Sequence, residues 1–182
     1  MTALAARAAA NGAMWVVPFD ADEIWTSPAG RVADHLRGDM TTAVLFDHVT
    51  TDLDGGDPDP VTRIRWRRVK ANRLPKVACR TADSLSIAMG NHGASYAYEP
   101  TVTGGLVVHH YPYRSPEQFI SKVRLGVAAL QAARLPLHAG AHWREYGRIL
   151  ADGGEDALTA HYMQWFHIAD PHADPTVVED PA

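Results

Sequence analysis

Cysteine is nearly absent from this 182-residue chain. Cys79 is the only one, so no internal disulfide can form. Lysine is almost as scarce, with 3 against 14 arginines, which favours planar, bidentate anion contacts over point charges. There is no basic excess: 17 Lys+Arg face 21 Asp+Glu, a net charge of −4. That balance argues against a general nucleic-acid binder. No run reaches the roughly 18 apolar residues that a membrane-spanning helix needs. The alanine-rich start, interrupted by Arg7 and poor in Leu and Val, makes a weak signal peptide, so the default compartment is cytoplasmic. A P-loop, a G-x-S-x-G elbow, a Rossmann glycine fingerprint and internal repeats are all missing. What is there is an average globular composition, 46% hydrophobic and 21% charged, sized for one domain with its own core.

Thr2 to Ala10 is made of strong helix formers and is stopped by Asn11-Gly12. Met14 to Phe19 reads as a buried strand, with Pro18 an awkward member because it cannot donate to a ladder. Ser27-Pro28 predicts a capped helix running to Arg37. Thr41–Val49, the partly alternating Arg63–Val69, Val77–Arg80, Leu85–Met89 and Leu106–His110 are strand candidates, the last following a Gly104-Gly105 turn. Asp52 to Pro60 is a turn-rich loop. The period then becomes helical. Ser115-Pro116-Glu117-Gln118 has capping-box character, and Ile120, Val123, Val127 and Leu130 follow at helical spacing until Pro136. Two more helices, Ala141–Leu150 and Glu155–Phe166, are separated by Gly153-Gly154. The expected architecture is α/β: a sheet-bearing part over residues 1–114, a helical part over 115–168 and a frayed tail over 169–182.

The most informative stretch is Asp20-x-Asp22-Glu23, behind the hydrophobic run. In open α/β sheets, ligands bind beyond the carboxyl ends of strands. Neighbouring carboxylates there repel unless a cation lies between them. Oxygen-only ligands suit Mg²⁺ or Mn²⁺, which complete their shells with substrate phosphates. The residues thus read as a metal–phosphate site. The competing reading is an acidic turn capping the helix that begins at Pro28.

The stretch Ala13 to Trp25 resembles the W-V-x-x-x-D-A-D-E-F segment of family 2 glycosyltransferases with the GT-A fold. Lys76–Arg80, Gly90-Asn91-His92, the segment His109 to Ser115 and the Ser115/Glu117-Gln118-Phe119/Lys122-Val123 pattern resemble later blocks of that family, in the same order. The resemblance implies a partial GT-A sheet followed by helices, and a sugar moved from a nucleotide-sugar donor to an acceptor it does not identify. By it, Asp22 would hold Mn²⁺ or Mg²⁺, Asp20 would contact ribose or the metal shell, and Glu23 would line the site. His92 or His109 would reach the metal or diphosphate, and Arg114 would pair with a phosphate. Asp83 and Glu99 are the candidates for the acceptor-activating base. The family's nucleotide-binding strands precede the D-x-D, so the resemblance leaves that half unaccounted for. It also implies association with itself or another chain over an exposed sheet edge. A non-catalytic fragment and a metal-dependent phosphohydrolase stand as alternatives.

Other signals have blander readings. His138 and His142 are four apart but lack the H-E-x-x-H glutamate. His109 and His110 point to opposite sides of a strand, so at most one faces a site. The aspartates from Asp52 to Asp59 place Arg63 where a calcium loop needs Glu. The Arg63–Lys70 basic run reads as a solvated face, and Cys79 as a packing residue.

Overall fold

A computed structural model describes residues 1–133 and 140–180. In chain order the elements are α1 (Thr2–Ala10), β1 (Trp15–Val16), β2 (Glu23–Thr26), β3 (Met40–Thr51), α2 (Pro60–Arg63), β4 (Trp66–Arg68), β5 (Lys76–Arg80), β6 (Ser86–Ile87), β7 (Ala94–Ser95), β8 (Val102–His110), α3 (Pro116–Ala133), α4 (Ala141–Trp165), β9 (His167–Ile168) and β10 (Val177–Glu179). The fold is mixed α/β. It divides into two compact units, one of Met1–His48 and Arg67–Pro112, the other of Val49–Trp66 and the described residues from Tyr113 to Asp180. Among the described residues, no helix is long and apolar enough to cross a membrane.

The first unit is a mixed sheet in the order β1-β5-β3-β8-β2. Only β3 and β8 run parallel; the other pairs are antiparallel. Alternation buries Val77 and Cys79 of β5 with Ala5, Leu85 and Ile87, and Ala43, Leu45, Leu106 and Val108 in a second cluster. Cys79 is fully buried, as a packing residue should be. The expected stop after α1 is a Schellman turn. Gly12 has φ +86, its N–H donates to Ala9 O, and Ala13 N–H donates to Ala8 O.

Several elements depart from expectation. The strand expected over Met14–Phe19 shrinks to β1, because pairing with β5 stops before Pro18, which has no N–H to give. The helix expected from Pro28 to Arg37 is only a 3₁₀ turn, Val32–His35. Ser27 Oγ donates to the Ala29 and Gly30 carbonyls and so does not cap a helix. Arg63 closes α2 rather than opening a strand. Gly104 and Gly105 lie within β8, where together they face Thr42 as a β-bulge, with Gly105 at φ +107.

In the second unit, α3 and α4 bury Phe119, Ile120, Val123, Leu158 and Tyr162 together. Ser115 Oγ accepts from Gln118 N–H, as the cap requires. Gln118 Oε1 reaches back to Arg114 N–H. The expected break between the last two helices is Gly154, at φ 70 and ψ −164 inside α4. The last residues of β3 pair in parallel with β9, Thr50 opposite His167. Within the described residues, the tail expected to fray carries β10, which pairs with β4, and Val177 packs against Val49 and Trp66. Pro136 and His138 lie outside the described residues.

Candidate functional site

Asp20 and Asp22 do not end a strand. They belong to the turn joining β1 to β2, closed by Glu23 N–H donating to Asp20 O. Glu23 then opens β2 directly opposite His110 of β8. On the other side of β8, His110 is in register with Asp47 of β3. One row across three strands therefore carries Glu23, His110 and Asp47.

Two ionic groupings come from this row. In the first, Lys76 Nζ lies 2.6 Å from Glu23 Oε1 and 2.9 Å from Asp20 Oδ2. The Lys76 and Glu23 side chains are almost entirely buried, at 3% and 1% exposure, whereas Asp20 is half exposed at 52%. Lys76 also donates to Gly90 O at 2.9 Å. Burial works against its ammonium, but Glu23 and Asp20 outweigh burial and raise its pKa.

In the second grouping, Asp47 Oδ1 is 2.7 Å from His110 Nδ1, and Asp22 Oδ2 is 3.6 Å from His110 Nε2. Burial again opposes the charge, yet the two carboxylates lift His110 to about 9. Asn72 Nδ2 donates to the second oxygen of Asp47 at 3.4 Å.

The structure brings Asp20, Asp22 and Glu23 together with Lys76, His110 and Asp47, none of which sequence reasoning assigned to the site. His109 points elsewhere: its Nδ1 is 3.0 Å from Nε2 of buried His48, whose ring stacks on Tyr111. His92 uses Nδ1 on Pro75 O at 3.0 Å, in the loop whose Gly90 carbonyl meets Lys76. Asp83 lies in an exposed turn and Glu99 in an exposed loop. Their two segments are tied by Ala97 N–H donating to Ser84 Oγ. Arg114 belongs to the second unit, just before α3. The signal for His110 was present, since a His-His doublet must place one ring on each face. Choosing between them needed the register with β3.

Among the described residues, no group of three or more His, Cys, Asp or Glu side chains is arranged around a metal position. Two side chains with an orienting carboxylate could hold one. Asp22 Oδ2 and His110 Nε2 are spaced as neighbours in one coordination shell, and once a cation displaces the second ring proton, Asp47 on Nδ1 would fix the tautomer that turns Nε2 to it. No family model, no curated protein and no solved structure matches the chain.

Proposed function

We propose that the first unit holds the donor-diphosphate end of a metal-dependent glycosyltransferase, which moves a sugar from a nucleotide-sugar to an acceptor hydroxyl. The observation that carries this reading is the side-chain series Asp47–His110–Asp22. A carboxylate behind an imidazole, with a second carboxylate beside the other ring nitrogen, is how proteins orient a metal-binding histidine. Asp22 and His110 would hold the cation, and phosphate oxygens and water would complete its shell. One imidazole with one carboxylate suits Mn²⁺ better than Mg²⁺. Bound there, the ion would neutralise charge building on the departing nucleoside diphosphate.

The chain's own groups prepare the site. Asp47 holds the imidazole in one tautomer. Lys76 offsets Asp20 and Glu23, so three clustered carboxylates do not repel incoming phosphates unopposed. Asp20, half exposed, presents an acceptor oxygen suited to ribose hydroxyls. Asp83 and Glu99 are the carboxylates offered for acceptor deprotonation.

Titration of the protein with a nucleoside diphosphate, with and without Mn²⁺, tests the reading. Binding should require Mn²⁺ and vanish in Asp22→Ala. Binding that survives both a chelator and Asp22→Ala overturns it.

A further inference from the structure

The second unit contains an open cleft of about 300 Å³. Its walls come from separate elements: Thr50 of β3, Asp54 of the following loop, Arg63 closing α2, Arg114 ahead of α3, Tyr162 of α4 and His167 of β9. The neutral wall is internally satisfied. Thr50 Oγ1 is 2.6 Å from Tyr162 OH and 3.1 Å from His167 Nδ1. His167 Nε2 is 2.9 Å from Asp52 Oδ1.

The two arginines are not satisfied in the same way. Arg63 donates only to backbone carbonyls, through Nη1 to Asp57 O at 3.3 Å and Nη2 to Arg114 O at 3.1 Å. Neither arginine has a carboxylate ion-pair partner among the described residues. The main chain of Arg114 is pinned on both sides, by Gln118 Oε1 at its N–H and by Arg63 at its carbonyl. Its Nε is buried with no hydrogen-bond partner. Burying a donor without its bond is costly, and one held on a pinned backbone at a cleft calls for an acceptor. Among the described residues of the cleft wall, Asp54 is the only carboxylate. Burial raises its pKa, against the pull of Thr51, Arg63 and His167.

We propose that this cleft binds an oxyanion, a phosphate monoester group of a substrate or effector, between the guanidinium groups of Arg63 and Arg114. Two guanidinium groups against one carboxylate favour a dianion over a monoanion. The bond from Arg63 Nη2 to Arg114 O fixes the spacing of the two arginines before any ligand arrives, so little ordering is left for binding. Arg114 thereby serves an anion site built within the second unit, which is not the donor-diphosphate role that the family resemblance implies for it. The cation of the first unit plays no part in it.

The test uses the full chain in excess chelator, titrated with inorganic phosphate and, separately, with acetate. Phosphate should bind saturably, and acetate should bind more weakly. Arg63→Gln and Arg114→Gln should each weaken phosphate binding by about tenfold, the usual worth of one charge-assisted contact. Asp54→Asn removes the opposing charge and should tighten it a few-fold, a gain that a misfolded variant does not produce. Absence of saturable phosphate binding overturns the proposal. So does equal affinity in both arginine variants with unchanged circular dichroism, or no tightening in Asp54→Asn.

Discussion

Asp47 Oδ1 sits 2.7 Å from Nδ1 of His110, and the two residues are also backbone partners across parallel strands. The contact therefore needs no long side chain to be immobilised. The sheet register places the carboxylate and the ring, and only two short rotamers remain to be held. That economy makes His110 a well-oriented group, and its titration is a readable property of the first unit.

In the metal-free protein, the folded His110 titrates at about 9 against a reference of 6.5. The folded value is the higher one. Its stabilisation is therefore complete below pH 6.5 and lost as pH rises through about 9. Partial exposure reduces the effect to about 2 kcal/mol. Thermal melts from pH 6 to 10 in chelator should show this loss, and His110→Gln should flatten it. Identical pH profiles for the two proteins would contradict the charged-histidine assignment.

Asp47→Asn should leave the fold intact while removing the charge that orients the imidazole. Mn²⁺ affinity should fall about 10- to 100-fold, the usual effect of losing such an outer partner. Calorimetry or the Mn²⁺ paramagnetic resonance signal measures it. In the same variant the His110 pKa should drop, which imidazole proton shifts in NMR would report.

Lys76→Met removes the cation between Glu23 and Asp20. Glu23 is left as a buried carboxylate without its partner, and stability should fall by about 3–5 kcal/mol. Denaturant unfolding measures the loss. The double variant Lys76→Met/Glu23→Gln should recover a large part of it, because the uncompensated charge is then gone.

Gly154→Ala separates backbone strain from packing. An added Cβ meets nothing within 4 Å, yet φ 70 with ψ −164 is a conformation nearly reserved for glycine. The expected cost is about 1–3 kcal/mol, read as a lowered Tm. An unchanged Tm would mean the two segments of α4 can rejoin as one straight helix.

Much of the local structure is legible in the residues. Gly12 and Gly154 mark breaks because their conformations require glycine, and Ser115 marks a start because its hydroxyl meets an unpaired helix N–H. Such signals act within a few positions. The helix expected after Pro28 failed because Ser27 can donate as readily as accept, and only the folded turn decides which. The tail looked frayed from its Pro and Asp content, but Val177 finds a pocket beside Val49 and Trp66 that no local pattern announces. The site shows the same division. Asp20, Asp22 and Glu23 drew attention as a cluster. Their cation, Lys76, lies more than fifty positions along the chain and came to them through the pairing of β5 with β3. His110 was separable from His109 only through the register of β8.

That register depends on the extra residue at Gly104-Gly105. Side chains in a strand alternate with a period of two, so a single inserted position exchanges the two sides of everything that follows. Upstream of the bulge, Thr41 is matched to Thr103; downstream, Ala43 is matched to Leu106. The glycine pair is thus a phase shifter for β8. Paired straight through, without the bulge, the same residues would turn Leu106 and Val108 toward the opposite side and bring His109, instead of His110, to Asp47. The paired histidines mean that an imidazole arrives in either phase, but only the present one arrives with the apolar residues packed beneath it.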